Sequence, residues 1–203
     1  MKNNPLKLIG LTGPAGCGKD TVARFLCDTQ EFRQISLAEP IKLGIVAMFG
    51  IPMEYLTDRE LKEQPLKILG GKSPRQVMQT LGTEWAREMV DEDIWINIAQ
   101  QQIDYNNQLT AANNLYLRGI VISDIRFESE AKWLRDQGGE LWHIRRTNNP
   151  HAVNTNHESE KQVKPLCSEP FIVNHGSIDQ LHDQIAQLMG ITEPDGSYVG
   201  DAV

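Results

Sequence analysis

Residues 7–21, KLIGLTGPAGCGKDT, constrain the fold more than any other stretch. KLIGL is a short apolar run of the kind that forms a strand buried on both faces. Gly13, Gly16 and Gly18 follow within six positions, and then Val22, Phe25 and Leu26 recur at helical spacing. The order is therefore strand, glycine loop, helix. Glycines let the backbone curl until its N–H groups point at one centre, and the helix N-terminus adds partial positive charge there. Such a loop suits a phosphate, and Lys19 can reach its outer oxygens. The spacing is G-x-x-x-x-G-K, but Asp20 stands where a hydroxyl usually follows, and the hydroxyl comes one place later at Thr21. A tight turn alone would also explain the glycines; the strand before and the helix after are what favour a phosphate loop.

Residues 32–36 and 115–124 read as further strands, the second the strongest in the chain, followed by 140–144 and 171–173. Helices are expected over 38–49, 74–90, 93–105, 127–137 and 177–189. Capping boxes stand at Thr57 to Glu60, Ser73 to Gln76 and Ser177 to Gln180, the second reinforced by Pro74. Residues 106–114 are polar and read as a loop, as do 148–168. Strands alternating with helices imply a parallel sheet covered on both faces. Residues 1–189 are expected to form one domain, with a helical insertion over about 38–114, a lid over about 146–168 and a flexible tail over 190–203.

The net charge of −7 argues against a nucleic-acid polymer as partner. Small anionic ligands need only a local cluster of cations. Cys17, Cys27 and Cys167 show no C-x-x-C pairing, so neither a disulfide framework nor a zinc site is expected. No run approaches a membrane span and no signal peptide is apparent, which fits a cytoplasmic protein. Oligomeric state is left open.

Other candidate residues fall into groups. Arg75, Gln79, Thr83 and Arg87 recur every four residues along the 74–90 helix and suit a phosphate and a base edge; Val77, Leu81, Trp85 and Met89 form the apolar stripe expected to face the core. Asp124 and Arg126 follow the strongest strand, where an acid would orient a Mg²⁺ shell and the arginine would meet a phosphate. Arg145 and Arg146 lie at the root of the polar 148–168 stretch and can neutralise a transferring phosphate. Asp20 either accepts from the waters of the same Mg²⁺ shell or only complements the helix dipole. His151 and His157 read as loop residues.

"GPAGCGKDT", "SLAEPIK", "SPRQVMQTLGTEWAR", "DIRFESEA" and "NHESE" together resemble the deoxynucleoside monophosphate kinases of tailed bacteriophages and prophages, over roughly residues 6–189. G-K-D-T resembles the G-K-G-T of nucleoside monophosphate kinases, with its late hydroxyl. SLAEPIK resembles their S/T-x-G-D-x-x-R, with Ala38, Glu39 and Lys42 in place of Gly, Asp and Arg. The resemblance implies a P-loop kinase fold, α/β, with a five-stranded parallel sheet of order 2-3-1-4-5, an acceptor-binding insertion and a lid. It implies transfer of the γ-phosphate of ATP, with Mg²⁺, to a deoxynucleoside 5′-monophosphate. ATP would lie on Gly13, Ala15, Gly16, Cys17, Gly18, Lys19, Asp20 and Thr21. The acceptor would lie on Ser36, Lys42, Arg75, Gln79, Thr83 and Arg87, while Lys19, Asp124, Arg126 and Arg146 would serve the transfer. Two other readings remain at this point: a kinase of a hydroxyl acceptor such as dephospho-coenzyme A, with Glu39 or Asp124 as base, and a nucleotide-gated binding module.

Overall fold

The computed structural model describes residues 6–113, 116–147 and 163–191. Five strands form one parallel sheet: β1 Lys7–Thr12, β2 Phe32–Ile35, β3 Gly119–Ile122, β4 Glu140–Arg146 and β5 Phe171–Asn174, in the order β2-β3-β1-β4-β5. This is the expected order. The inner strands β1, β3 and β4 are apolar in near-continuous runs because both their faces are covered. The edge strands β2 and β5 mix buried and exposed positions.

Helix α1, Lys19–Thr29, and helix α7, Ile178–Met189, cover one face of the sheet. Val22, Phe25 and Leu26 of the first, with Leu181 and Ile185 of the second, pack on Ile9, Leu11, Trp142, Ile144 and Ile172. Successive strand residues alternate faces, so Gly10 turns the other way, toward helix α6, Glu128–Asp136. A Cβ on Gly10 would come within 2.3 Å of Leu134, which sets how closely α6 lies on the sheet.

The chain divides into two compact units, Ser36–Gln100 and the remainder, Met1–Ile35 with Gln101–Val203. The smaller unit holds α2 Glu39–Phe49, the short α3 Glu54–Thr57, two 3₁₀ turns, α4 Pro74–Gln79 and a π-helix, Thr80–Val90, that continues α4. Its own core is Ile45, Ile51, Leu56 and Leu69, with Ile41, Val77 and Leu81 beside them.

Three local expectations are corrected. Residues 106–113 are helical, because α5 runs Ile94–Asn113. Their polar side chains bond back along the helix: Asn106 Nδ2 donates to Gln102 O at 2.7 Å and Thr110 Oγ1 to Asn106 O at 2.8 Å. Such i−4 bonds let a polar run stay helical. Second, Thr57 ends a helix and does not cap the start of one. Its hydroxyl donates back to Met53 O, and Asp58 Oδ1 instead accepts the Glu60 and Leu61 N–H groups at the 3₁₀ turn Leu61–Glu63. Third, β3 is only Gly119–Ile122, because its partner β2 is four residues long and pairs from Phe32↔Gly119 to Ile35↔Ile122. The capping boxes at Ser73 and Ser177 are both formed. Most of the stretch expected as a lid, including His151 and His157, lies outside the described residues, as does the tail beyond Ile191.

Candidate functional site

The larger unit gathers its candidate residues at the carboxyl edge of the sheet. In open parallel sheets that edge is where ligands bind. The glycine loop leaves β1 there. Gly13, Gly16 and Gly18 all have positive φ, at 141°, 75° and 114°. A Cβ on Gly13 would lie 2.1 Å from the Ile144 carbonyl oxygen, so a side chain is excluded by rigid backbone and not only by strain. Cys17 is fully buried. Burial pushes its thiol up, against the opposing pull of the Lys19 charge, and it fills space beneath the loop as a neutral group. Lys19 Nζ donates to Gly13 O at 2.6 Å and Pro14 O at 3.0 Å, so the cation rests on the rim of the loop. Asp20 is exposed in the first turn of α1, where the helix dipole favours an acid, and Thr21 is half-buried beside it.

Asp124 follows β3, the neighbour of β1, and the Ile125 N–H donates to Leu11 O at 3.1 Å. Asp124 is thus held level with the start of the glycine loop, and it is buried. The backbone that carries Arg126 is fixed by a residue absent from the expected set. Glu130, buried in the first turn of α6, accepts from Arg126 N at 2.8 Å and Phe127 N at 3.0 Å through one carboxylate oxygen. Its spacing from Phe127 was the available signal, an acid at the third position of a helix. Arg126 itself is exposed. On the other side of β1, Arg146 ends β4 and its Nη1 lies 3.5 Å from Gly16 O. Arg145 is turned away onto the Phe171 ring, 4.8 Å from its centroid.

A second unexpected cluster ties down residues 163–170. Glu169 takes Arg135 Nε at 2.7 Å and Nη2 at 3.0 Å, His143 Nε2 at 2.9 Å and the Leu166 N–H at 2.8 Å. Burial opposes its charge, yet these donors outweigh it and hold the carboxyl down at about 2. Glu128 accepts the Lys164 N–H at 2.6 Å, so helix α6 grips the same segment twice.

In the smaller unit the 74–90 helix opens on a formed capping box, Ser73 Oγ accepting from Gln76 N while Ser73 N donates to Gln76 Oε1. From Thr80 it widens to π geometry and ends with Asp91 N donating to Ala86 O, five residues back. This changes which face is inside. Thr83 and Arg87 are only 8% and 9% exposed, whereas Trp85 and Met89 are 48% and 77% exposed. The apolar stripe expected to face the core therefore does so at Val77 and Leu81 but not at Trp85 and Met89. A period of four overshoots an α-turn of about 3.6 residues and drifts round the helix. With i→i+5 bonding the turn holds more than four residues and the drift reverses, which keeps Thr83 and Arg87 inward. Arg87 approaches Glu92 at 4.0 Å, and Arg75 is paired with Glu63. Gln79 Nε2 is buried and has no hydrogen-bond partner among the described residues. Lys42 lies on α2, 3.2 Å from Glu39, and Ser36 is half-buried just before that helix. Glu39 is thereby ion-paired with Lys42 one turn along the same helix.

The loop fits a nucleotide polyphosphate: its rim excludes side chains, a lysine is at hand and a helix N-terminus opens beneath. Asp124 and Asp20 carry hard oxygen atoms of the kind Mg²⁺ and its waters take, although among the described residues no group of three or more histidine, cysteine or acidic side chains could hold a metal ion by itself. Among the described residues no helix is long and apolar enough to cross a membrane.

Comparison with known proteins adds an independent line. Residues 51–185 match the sequence profile of a family described as deoxynucleotide monophosphate kinase. The chain is 31% identical over 184 residues to a protein of Acanthamoeba polyphaga mimivirus whose name carries the same activity, covering 88% of this chain and 93% of that one. It is 24% identical over 231 residues to the deoxynucleoside-5′-monophosphate kinase of Escherichia phage T5, covering 82% and 89%. With the deoxynucleotide monophosphate kinase of Enterobacteria phage T4 it shares 22% identity over 248 residues, covering 92% and 100%.

Proposed function

From the premise that the chain belongs to the deoxynucleotide monophosphate kinase family, we propose that it transfers the γ-phosphate of ATP to deoxynucleoside 5′-monophosphates. The observation that carries the reading is where the family match falls. Residues 51–185 include the 74–90 helix and the Asp124–Arg126 turn but exclude the glycine loop. The match thus spans Arg75, Gln79, Thr83 and Arg87 of the proposed acceptor set together with Asp124, Arg126 and Arg146, while Ser36, Lys42 and the glycine loop lie outside it and the loop is supported by its own geometry.

In this reading Lys19 leaves the Gly13 and Pro14 carbonyls for the β- and γ-phosphates, and the N–H groups of the loop take the remaining oxygens. An acceptor phosphate oxygen, already anionic near neutral pH, attacks the γ-phosphorus; the bond to the β–γ bridging oxygen breaks and ADP leaves. No strong base is required, so the work is in-line positioning and neutralisation of two anionic reactants. Arg75 and Arg87 hold the acceptor phosphate, with Lys42, Ser36, Gln79 and Thr83 completing its site. Arg126 and Arg146 offset charge on the moving group. Asp124 and Asp20 would hold Mg²⁺ through its waters, and the ion would supply positive charge against the nucleotide phosphates. We place the reaction in the cytoplasm, with the acceptor bound by the smaller unit, Ser36–Gln100.

Incubation with ATP and a panel of acceptors tests this: the four deoxynucleoside monophosphates, their ribose counterparts, dephospho-coenzyme A and water alone. Diphosphate from one or more deoxynucleotides, exceeding hydrolysis, is the expected product. Phosphorylation of dephospho-coenzyme A alone, or only slow release of inorganic phosphate, overturns the proposal.

A further inference from the structure

Asn174 closes β5, in register with Arg146 of β4, and its carbonyl accepts the Thr147 N–H at 3.3 Å. Its side chain does not continue the sheet. Nδ2 donates to the Cys17 carbonyl oxygen inside the glycine loop, at 3.0 Å. The partner is an acceptor, so the amide must present its NH₂ group, and the orientation is set by chemistry. The same amide lies against Gly18, where a Cβ would come within 2.7 Å of Nδ2. Gly18 has φ +114° and caps the N-terminus of α1.

In a trans peptide unit the C=O and the following N–H point in opposite directions. A group that holds the Cys17 oxygen outward therefore holds the Gly18 N–H toward the other side, into the concavity of the loop. Without that bond the Cys17–Gly18 peptide is free to rotate, because a glycine resists neither orientation. We propose that Asn174 is a positioning residue for the donor phosphates. It fixes the Cys17–Gly18 peptide plane so that the Gly18 N–H faces the anion, and it touches no part of the nucleotide. The inference rests on the phosphate-loop reading above.

Two ligands separate this role from its rivals. ATP carries a base; inorganic tripolyphosphate carries the phosphates alone. Asn174→Ala should weaken both to the same degree, roughly three- to tenfold for one lost neutral hydrogen bond. Asn174→Asp should weaken both further, since it offers no donor to Cys17 O and sets a negative charge beside the cradle. The KM for the acceptor monophosphate should stay at the wild-type value, which shows the variants are folded. In amide NMR the Gly18 resonance should shift on tripolyphosphate binding in the wild type and shift less in Asn174→Ala. Unchanged tripolyphosphate affinity in both variants overturns the assignment. A loss for ATP alone also overturns it and makes Asn174 a base contact. Failure of the wild-type chain to bind either ligand would sink the phosphate-loop reading itself, and this inference with it.

Discussion

The glycine loop and the 74–90 helix, the proposed donor and acceptor sides, each carry cations, and they place them in opposite ways. In the loop the geometry is in the backbone. Three glycines take positive-φ conformations that other residues disfavour, and the Cys17 and Gly16 carbonyl oxygens accept hydrogen bonds from Asn174 and Arg146. Lys19 rests on the rim with its amine on two carbonyl oxygens, ready to exchange them. In the helix the geometry is in the winding. A π-helical segment turns Thr83 and Arg87 inward and leaves Trp85 and Met89 in water. One device is local and tolerates almost no added atoms; the other depends on the pitch of eleven residues. Substitutions should therefore act differently in the two regions.

The largest effect is expected from Lys19→Ala. Loss of one pre-placed donor to a charged transition state costs roughly 10²–10³-fold in rate. The melting temperature should hardly move, because Lys19 bonds only the rim of its own loop. Arg75→Met should come next, raising the acceptor KM by roughly ten- to a hundredfold, the cost of one charge-assisted bond. A KM effect on ATP in place of the acceptor would break the contrast between the two regions.

Glu169→Gln should cost stability and not chemistry, by about 2 kcal/mol at pH 7, since hydrogen bonds to a charged group are lost. The sign with pH follows from its depressed carboxyl. The unfolded group titrates near 4.5 and the folded one near 2. Its stabilisation is complete above the first value and is lost as pH falls through the second. Urea melts from pH 6 to pH 2 should therefore converge for wild type and variant at the acid end. Divergence at low pH would contradict the assignment. The smallest effect is expected from Trp95→Phe, which removes the 2.7 Å bond from Trp95 Nε1 to Gly82 O in the π segment. It should lower stability by about 1 kcal/mol and, if that bond helps hold the widened turn, raise the acceptor KM while leaving that for ATP unchanged.

What could be read in the sequence follows the same division. KLIGL, the three glycines and the first turn of α1 are determined by neighbours a few residues apart, and they fold as expected. The capping boxes at Ser73 and Ser177 are local in the same sense. The orientation of Trp85 and Met89 was missed because a stripe read at α-helical pitch changes face when the helix widens. The helix over 106–113 was missed because Asn and Thr suggest a loop unless their i−4 carbonyls are counted as acceptors. Asn174 and Glu169 carried no signal, since their partners Cys17 and Arg135 are brought near only by the sheet order.

The account turns on the separation of donor binding from acceptor binding. Calorimetric titration of ATP, and separately of a deoxynucleoside monophosphate that the wild type phosphorylates, into Lys19→Ala and Arg87→Met tests it most directly. The predicted result is a crossed pattern. Lys19→Ala loses ATP affinity and keeps the monophosphate; Arg87→Met loses the monophosphate by roughly ten- to a hundredfold and keeps ATP. Arg87→Met that binds the monophosphate normally and loses ATP would contradict the account.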